Sequence, residues 1–124
     1  MRILVAEDEP ILLRIIEMRL KKDGHEVIIS KDGREALARI EELAPDLIIA
    51  DIMMPFASGL EIVGAVKKRS VSIPVIILSA MDQENVVLEA FQLGADDYIT
   101  KPFSLNELSV RVKKFALRQA SLNP

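Results

Sequence analysis

Short apolar runs alternate with longer amphipathic ones along the whole chain. Residues 3–6, 27–30, 47–50, 75–78 and 98–100 are rich in Ile and Val and predict five strands. The first, third and fourth are unbroken apolar runs, the pattern of strands covered on both faces. Between them, residues 11–22, 33–43, 59–69, 83–93 and 105–118 predict helices. In the first helix, Leu12, Ile15, Ile16 and Leu20 keep the three-to-four spacing of a core-facing stripe. Pro10 suits a helix start. Asp32 and Ser58 suit N-caps, and Ser104-Leu105-Asn106-Glu107 reads as a capping box. Gly24 and Gly94 stand where helices stop, and Pro45 and Pro74 precede strands. Five strand–helix units in series predict an α/β fold, a doubly wound parallel sheet with helices on both faces.

Composition narrows the function. A length of 124 residues predicts one domain, placed at 1–119 with a tail or linker start at 120–124, where the periodicity fades. A net charge of −3 exerts no pull toward nucleic acid or anionic membrane. The absence of cysteine removes thiolate metal sites and fits a cytoplasmic protein. No run approaches a membrane span, and the first residues do not form a signal peptide.

In open parallel sheets the ligand crevice lies beyond the carboxyl ends of the strands. Strand one ends there in Glu7-Asp8-Glu9, strand three in Asp51, strand four in Ser79 and strand five in Lys101. Glu7, Asp8 and Asp51 together carry three negative charges; Lys101 and a divalent cation would neutralise them. Hard oxygen donors without His or Cys favour Mg²⁺. An ammonium beside it would clamp a phosphoryl group, and a carboxylate can accept one as an aspartyl-phosphate.

The stretches ILVAEDE, DLIIADIMMP with Gly59 and Glu61, PVIILSA and GADDYITKPF resemble the receiver domain of bacterial two-component response regulators over essentially the whole chain. That resemblance implies a flavodoxin-like sheet in order 2-1-3-4-5. It implies Asp51 as phosphoacceptor, taking phosphate from a sensor histidine kinase. Asp8 would bind Mg²⁺ directly and Glu7 through water, with the Met53 backbone carbonyl as a further ligand. Lys101 would contact the phosphoryl group, and its bond to Pro102 would be cis. Ser79 and Tyr98 would be the switch residues that reshape the face of the fourth helix, fifth strand and fifth helix toward an output domain or partner.

GADDYITKPF is most similar to receivers of the winged-helix transcription-factor subfamily, which implies transcription regulation and a homodimer through that face. Asp96, Asp97, Glu107, Arg111 and Arg118 match its charged positions; Val87 departs from it, standing where a basic partner for Glu107 is usual. Met53 and Met81 offer no group to orient an attacking water, so slow self-dephosphorylation is expected.

Other residues have plainer readings. Glu9 reads as a first-turn acid at the helix dipole, His25 as a surface loop residue, the methionines as core and loop filler, and Lys67-Lys68-Arg69 as a cation cluster at a helix end. A phosphatase with an aspartate nucleophile would need an acid at Met53, and nucleotide-binding glycine motifs are absent.

Overall fold

The computed structural model describes residues 1–70 and 72–122. The elements are β1 (Arg2–Ala6), α1 (Pro10–Lys22), β2 (Glu26–Ser30), α2 (Gly33–Leu43), β3 (Leu47–Asp51), α3 (Gly59–Arg69), β4 (Val75–Ser79), α4 (Glu84–Leu93), β5 (Asp97–Thr100) and α5 (Leu105–Leu122). All but α5 match their expected bounds to within one residue. The last helix continues to Leu122, past the expected end at 118. Gln119, Ala120, Ser121 and Leu122 include no breaker, so helix propensity carries on after the apolar period fades. Of the expected tail at 120–124, residues 123 and 124 lie outside the described residues.

The sheet is parallel, in order β2-β1-β3-β4-β5 as expected. The three unbroken apolar runs occupy its centre, and β3 and β4 are buried at every position. Strand alternation sorts the core into two layers. Leu4, Ala6, Ile48, Ala50, Val75 and Ile77 pack against α2, α3 and α4 through Ala36, Ile40, Ile62, Val63, Val66 and Ala90. Ile3, Val5, Leu47, Ile49, Ile76 and Leu78 pack against α1 and α5 through Leu13, Ile16, Leu20, Leu108, Val112 and Phe115.

The buried stripe of α1 is turned from the expected one. Leu13, Ile16, Glu17 and Leu20 face inward, while Ile15 is 40% exposed. Glu17 is tolerated there because Arg14 and Lys21 reach back over it, at 2.8 and 3.1 Å. Two caps form as read, Asp32 accepting from the Glu35 N–H and Ser58 from the Glu61 N–H. Of the expected capping box, Ser104 accepts from the Glu107 N–H, while the Glu107 carboxylate turns to Arg111. Gly24 and Gly94 take the left-handed conformations, φ 97° and 114°, that close their helices.

Candidate functional site

Register brings the site together. Ala6 lies beside Ala50 in the central pair of strands, so the residues that follow are neighbours: Glu7 just past β1 and Asp51 as the last residue of β3. Ser79 lies opposite Thr100, and its carbonyl accepts from the Lys101 N–H at 2.8 Å. Carboxylate oxygens of Glu7, Asp8 and Asp51 fall within 4.8 Å of one another. Glu7 and Asp51 are buried and Asp8 is exposed, so the cluster has a closed floor and an open side.

Asp51 is held at both oxygens. Oδ1 accepts from the Met53 N–H at 2.9 Å, and Oδ2 from Lys101 Nζ at 2.5 Å. Lys101 also donates to Glu7 Oε1 at 2.9 Å and to Glu9 Oε2 at 3.3 Å. Burial pushes the Glu7 carboxyl up to about 7, and the neighbouring Asp51 charge adds to that, against the Lys101 hydrogen bond. For Lys101, burial opposes the charge, but the hydrogen bonds to Asp51 and Glu7 outweigh it and hold the ammonium above its ordinary range. One fixed cation thus faces three carboxylates.

A hard divalent cation fits this donor set, because the three grouped acids are all-oxygen ligands with one open side. Met53 stands at the rim, 65% exposed, with its N–H turned to Asp51.

Two glycines set the close packing behind Asp51. A Cβ on Gly59 would lie 2.5 Å from the Asp51 carbonyl oxygen, and one on Gly33 would lie 1.9 Å from that of Ala57. The loop between β3 and α3 is therefore clamped between α2 and the end of β3.

Ser79 and Tyr98 lie on the next strands. Ser79 Oγ is buried and accepts from the Met81 N–H at 2.9 Å. Tyr98 is half-buried, packs against the α2–α3–α4 layer and donates its hydroxyl to the Met81 carbonyl. Both therefore meet at Met81. The Lys101–Pro102 bond is cis.

The remaining predicted residues sit away from this centre. Asp97 accepts from Arg111 at 2.7 Å, and Glu107 from the same guanidinium at 3.3 Å, so these acids are paired within the chain. Asp96 accepts from Lys67 Nζ and from the Val75 N–H, both at 2.8 Å, tying α3 to the start of β5. Arg118 lies over the Phe115 ring, 5.3 Å from its centroid.

One plain reading gains detail here and another gives way. Lys67, Lys68 and Arg69 fill the last turn of α3 as read, and two of them have specific partners: Lys67 donates to Asp96 and the Ile73 carbonyl, and Arg69 to Glu41. Glu9 is the N-cap residue of α1 but caps nothing with its side chain, which turns to Lys101 instead. Only the spacing of 92 residues across the sheet explains that contact, and no local pattern carries it.

A doubly wound α/β domain with an acid cluster and a lysine at the carboxyl edge of its sheet is the class that fold and site define. A family profile described as the response regulator receiver domain matches residues 3–113, and the chain belongs to that family. The chain is 37% identical over 123 residues to the alkaline phosphatase synthesis transcriptional regulatory protein PhoP of Bacillus subtilis, covering 99% of this chain and 51% of that protein. It is 39% identical over 121 residues to the transcriptional regulatory protein TrcR of Mycobacterium tuberculosis, covering 98% and 47%. The chain thus spans about half the length of these curated relatives. Both names agree with the expected likeness to receivers of transcription factors.

Among solved structures, the receiver domain of the Francisella response regulator 1452 superposes with a TM-score of 0.90 at 36% identity, over 95% of this chain and 98% of that one. The response regulator TrrA of Thermotoga maritima, solved in complex with Mg(2+)-BeF, superposes with a TM-score of 0.84 at 36% identity, over 92% and 97%.

Proposed function

We propose that this receiver domain is switched by phosphorylation of Asp51, with Mg²⁺ held by Asp8 and Asp51 directly, by Glu7 through water, and by the Met53 carbonyl. The observation that carries this reading is the Asp51 carboxylate itself. It is nearly buried, fixed at both oxygens, and set between an acid cluster and an ammonium. Bound Mg²⁺ would offset the negative charge that keeps a phosphate away from three carboxylates. Asp51 attacks phosphorus, the leaving group departs with the bonding electron pair, and Lys101 holds a phosphoryl oxygen through its N–H donors.

Ser79 is the second handle. Its hydroxyl can leave the Met81 N–H and donate to a phosphoryl oxygen, which loosens the anchor that Met81 gives to Tyr98. The shift then reaches the face formed by α4, β5 and α5. That face exposes Leu88, Phe91 and Val110 beside the Asp97–Arg111 pair, which supports its use toward an output domain or a second copy of the chain.

The phosphate donor of this reading is a sensor histidine kinase in the cytoplasm. No described helix is long and apolar enough to cross a membrane. An apolar groove of about 490 Å³ borders Lys101, lined by Leu12, Ile15, Ala80, Pro102 and Phe103. Leu12 and Ile15 also line a neighbouring groove with exposed Ile11, and a protein donor reaching Asp51 would cover both. Met53 and Met81 place only thioethers near the phosphoryl position, so the phosphorylated form is long-lived in this reading.

Incubation with Mg²⁺ and acetyl phosphate, followed by intact mass measurement, tests the central step. One phosphoryl adduct is expected on the wild type and none on Asp51→Asn. An unmodified wild type, or an equal adduct on the variant, overturns it.

A further inference from the structure

Lys101 has three N–H donors, and all three are in use. They go to Asp51 at 2.5 Å, Glu7 at 2.9 Å and Glu9 at 3.3 Å. A phosphoryl oxygen that binds Lys101 must therefore displace one of these acceptors. Asp51 and Glu7 are buried, and Glu7 has no exposure at all. Glu9 makes the longest of the three contacts, and its side chain is 64% exposed. It alone can swing into water without leaving a buried charge unpaired.

We infer that Glu9 is a specificity-determining residue at the mouth of the site: it occupies the Lys101 donor that the incoming phosphoryl group takes, and its charge selects against donors of higher negative charge. The inference rests on Asp51 being the phosphoacceptor. Glu9 Oε2 and Asp51 Oδ2 bind the same nitrogen, at 3.3 and 2.5 Å, so they are no more than 5.8 Å apart. A donor reacting with Asp51 passes within that range of the Glu9 carboxylate. At about 6 Å, each extra negative charge on the donor meets a repulsion worth roughly three- to tenfold in rate, for an effective dielectric between about 40 and 80.

Two small donors separate charge from chemistry. Acetyl phosphate is a dianion near pH 7; its P–O bond breaks as the Asp51 oxygen bonds to phosphorus, and acetate leaves. Phosphoramidate is a monoanion with a protonated nitrogen; its P–N bond breaks, and ammonia leaves. In both, one phosphoryl group moves and no electrons are gained or lost.

The test measures second-order rates of Asp51 labelling with both donors, at Mg²⁺ saturating for each protein, in wild type, Glu9→Gln and Glu9→Ala. Glu42→Gln, an exposed acid in the last turn of α2, serves as the control. For both Glu9 variants, the ratio of acetyl phosphate to phosphoramidate rates should rise at least about threefold. The gain should shrink in about 1 M salt, where the screening length falls to about 3 Å. The control should keep the wild-type ratio.

With neither metal nor donor present, the Lys101 ammonium resonance should also shift on Glu9→Gln. An unchanged donor ratio, an equal fall with both donors, or an unmoved Lys101 resonance overturns the inference. Failure of the wild type to label with either donor instead overturns the assignment of Asp51.

Discussion

In the proposed switch, Met53 would set the lifetime of the phosphorylated state. It stands two residues beyond Asp51, exposed, with its N–H fixed on the acceptor carboxylate. A water attacking the phosphorylated aspartate would find only a thioether there, a weak acceptor that cannot donate. An amide at the same place would hold that water by a hydrogen bond. Met53→Asn is therefore expected to speed phosphate loss about tenfold, the worth of roughly 1.4 kcal/mol in the barrier. Decay of the phosphorylated mass in the two proteins checks this, and equal lifetimes would remove Met53 from the account. Glu9 teaches a related lesson. By type and position it reads as a helix-dipole acid, yet its partner is a lysine just past the end of β5.

At the scale of elements, the site depends on how closely α2 and α3 approach the end of β3. The Gly33 N–H donates to the Pro55 carbonyl at 3.1 Å, while its Cα faces the Ala57 carbonyl with no room for a methyl group. Gly33→Ala must push backbone against backbone and is expected to cost about 2–3 kcal/mol. Gly64, inside α3, has nothing within 4 Å of an added Cβ. Gly64→Ala should therefore stabilise the chain by about 0.5–1 kcal/mol through helix propensity. Urea denaturation of both variants measures the contrast, and similar midpoints would refute the clamp on the β3–α3 loop. The sequence shows both glycines, but not which one has a neighbour's carbonyl against it.

For the whole molecule, the acid cluster links stability to pH and to the cation. Glu7 keeps its proton up to about pH 7 in the folded chain and loses it near 4.5 when unfolded. Between those values the folded state holds the extra proton, so this group's contribution to stability falls as pH rises, by about 3 kcal/mol in all. Lys101, raised above its ordinary 10.5, stays protonated in both states across that window and adds no slope. Metal-free Glu7→Gln should therefore lose less stability than the wild type from pH 5 to 8. Mg²⁺, which requires the ionised acids, should raise the melting temperature more at pH 8 than at pH 5. Melting curves at both pH values, with and without Mg²⁺, decide this; parallel curves for the two proteins would contradict the Glu7 assignment.

The sequence by itself determined the five strands, the five helices, their caps and the edge of the sheet that carries acids and a lysine. Those features follow from local periodicity and from residues within a turn of one another. Only the tertiary structure decided the individual pairings, and it alone added Glu9 to the expected cluster. Lys101 joins Glu7, Glu9 and Asp51 across separations of 94, 92 and 50 residues. Packing also set the turn of α1 that buries Glu17 and exposes Ile15, and the tie of Asp96 to Lys67. Such pairings depend on sheet order and on the angle at which each helix docks, and neither is encoded in any short stretch of chain.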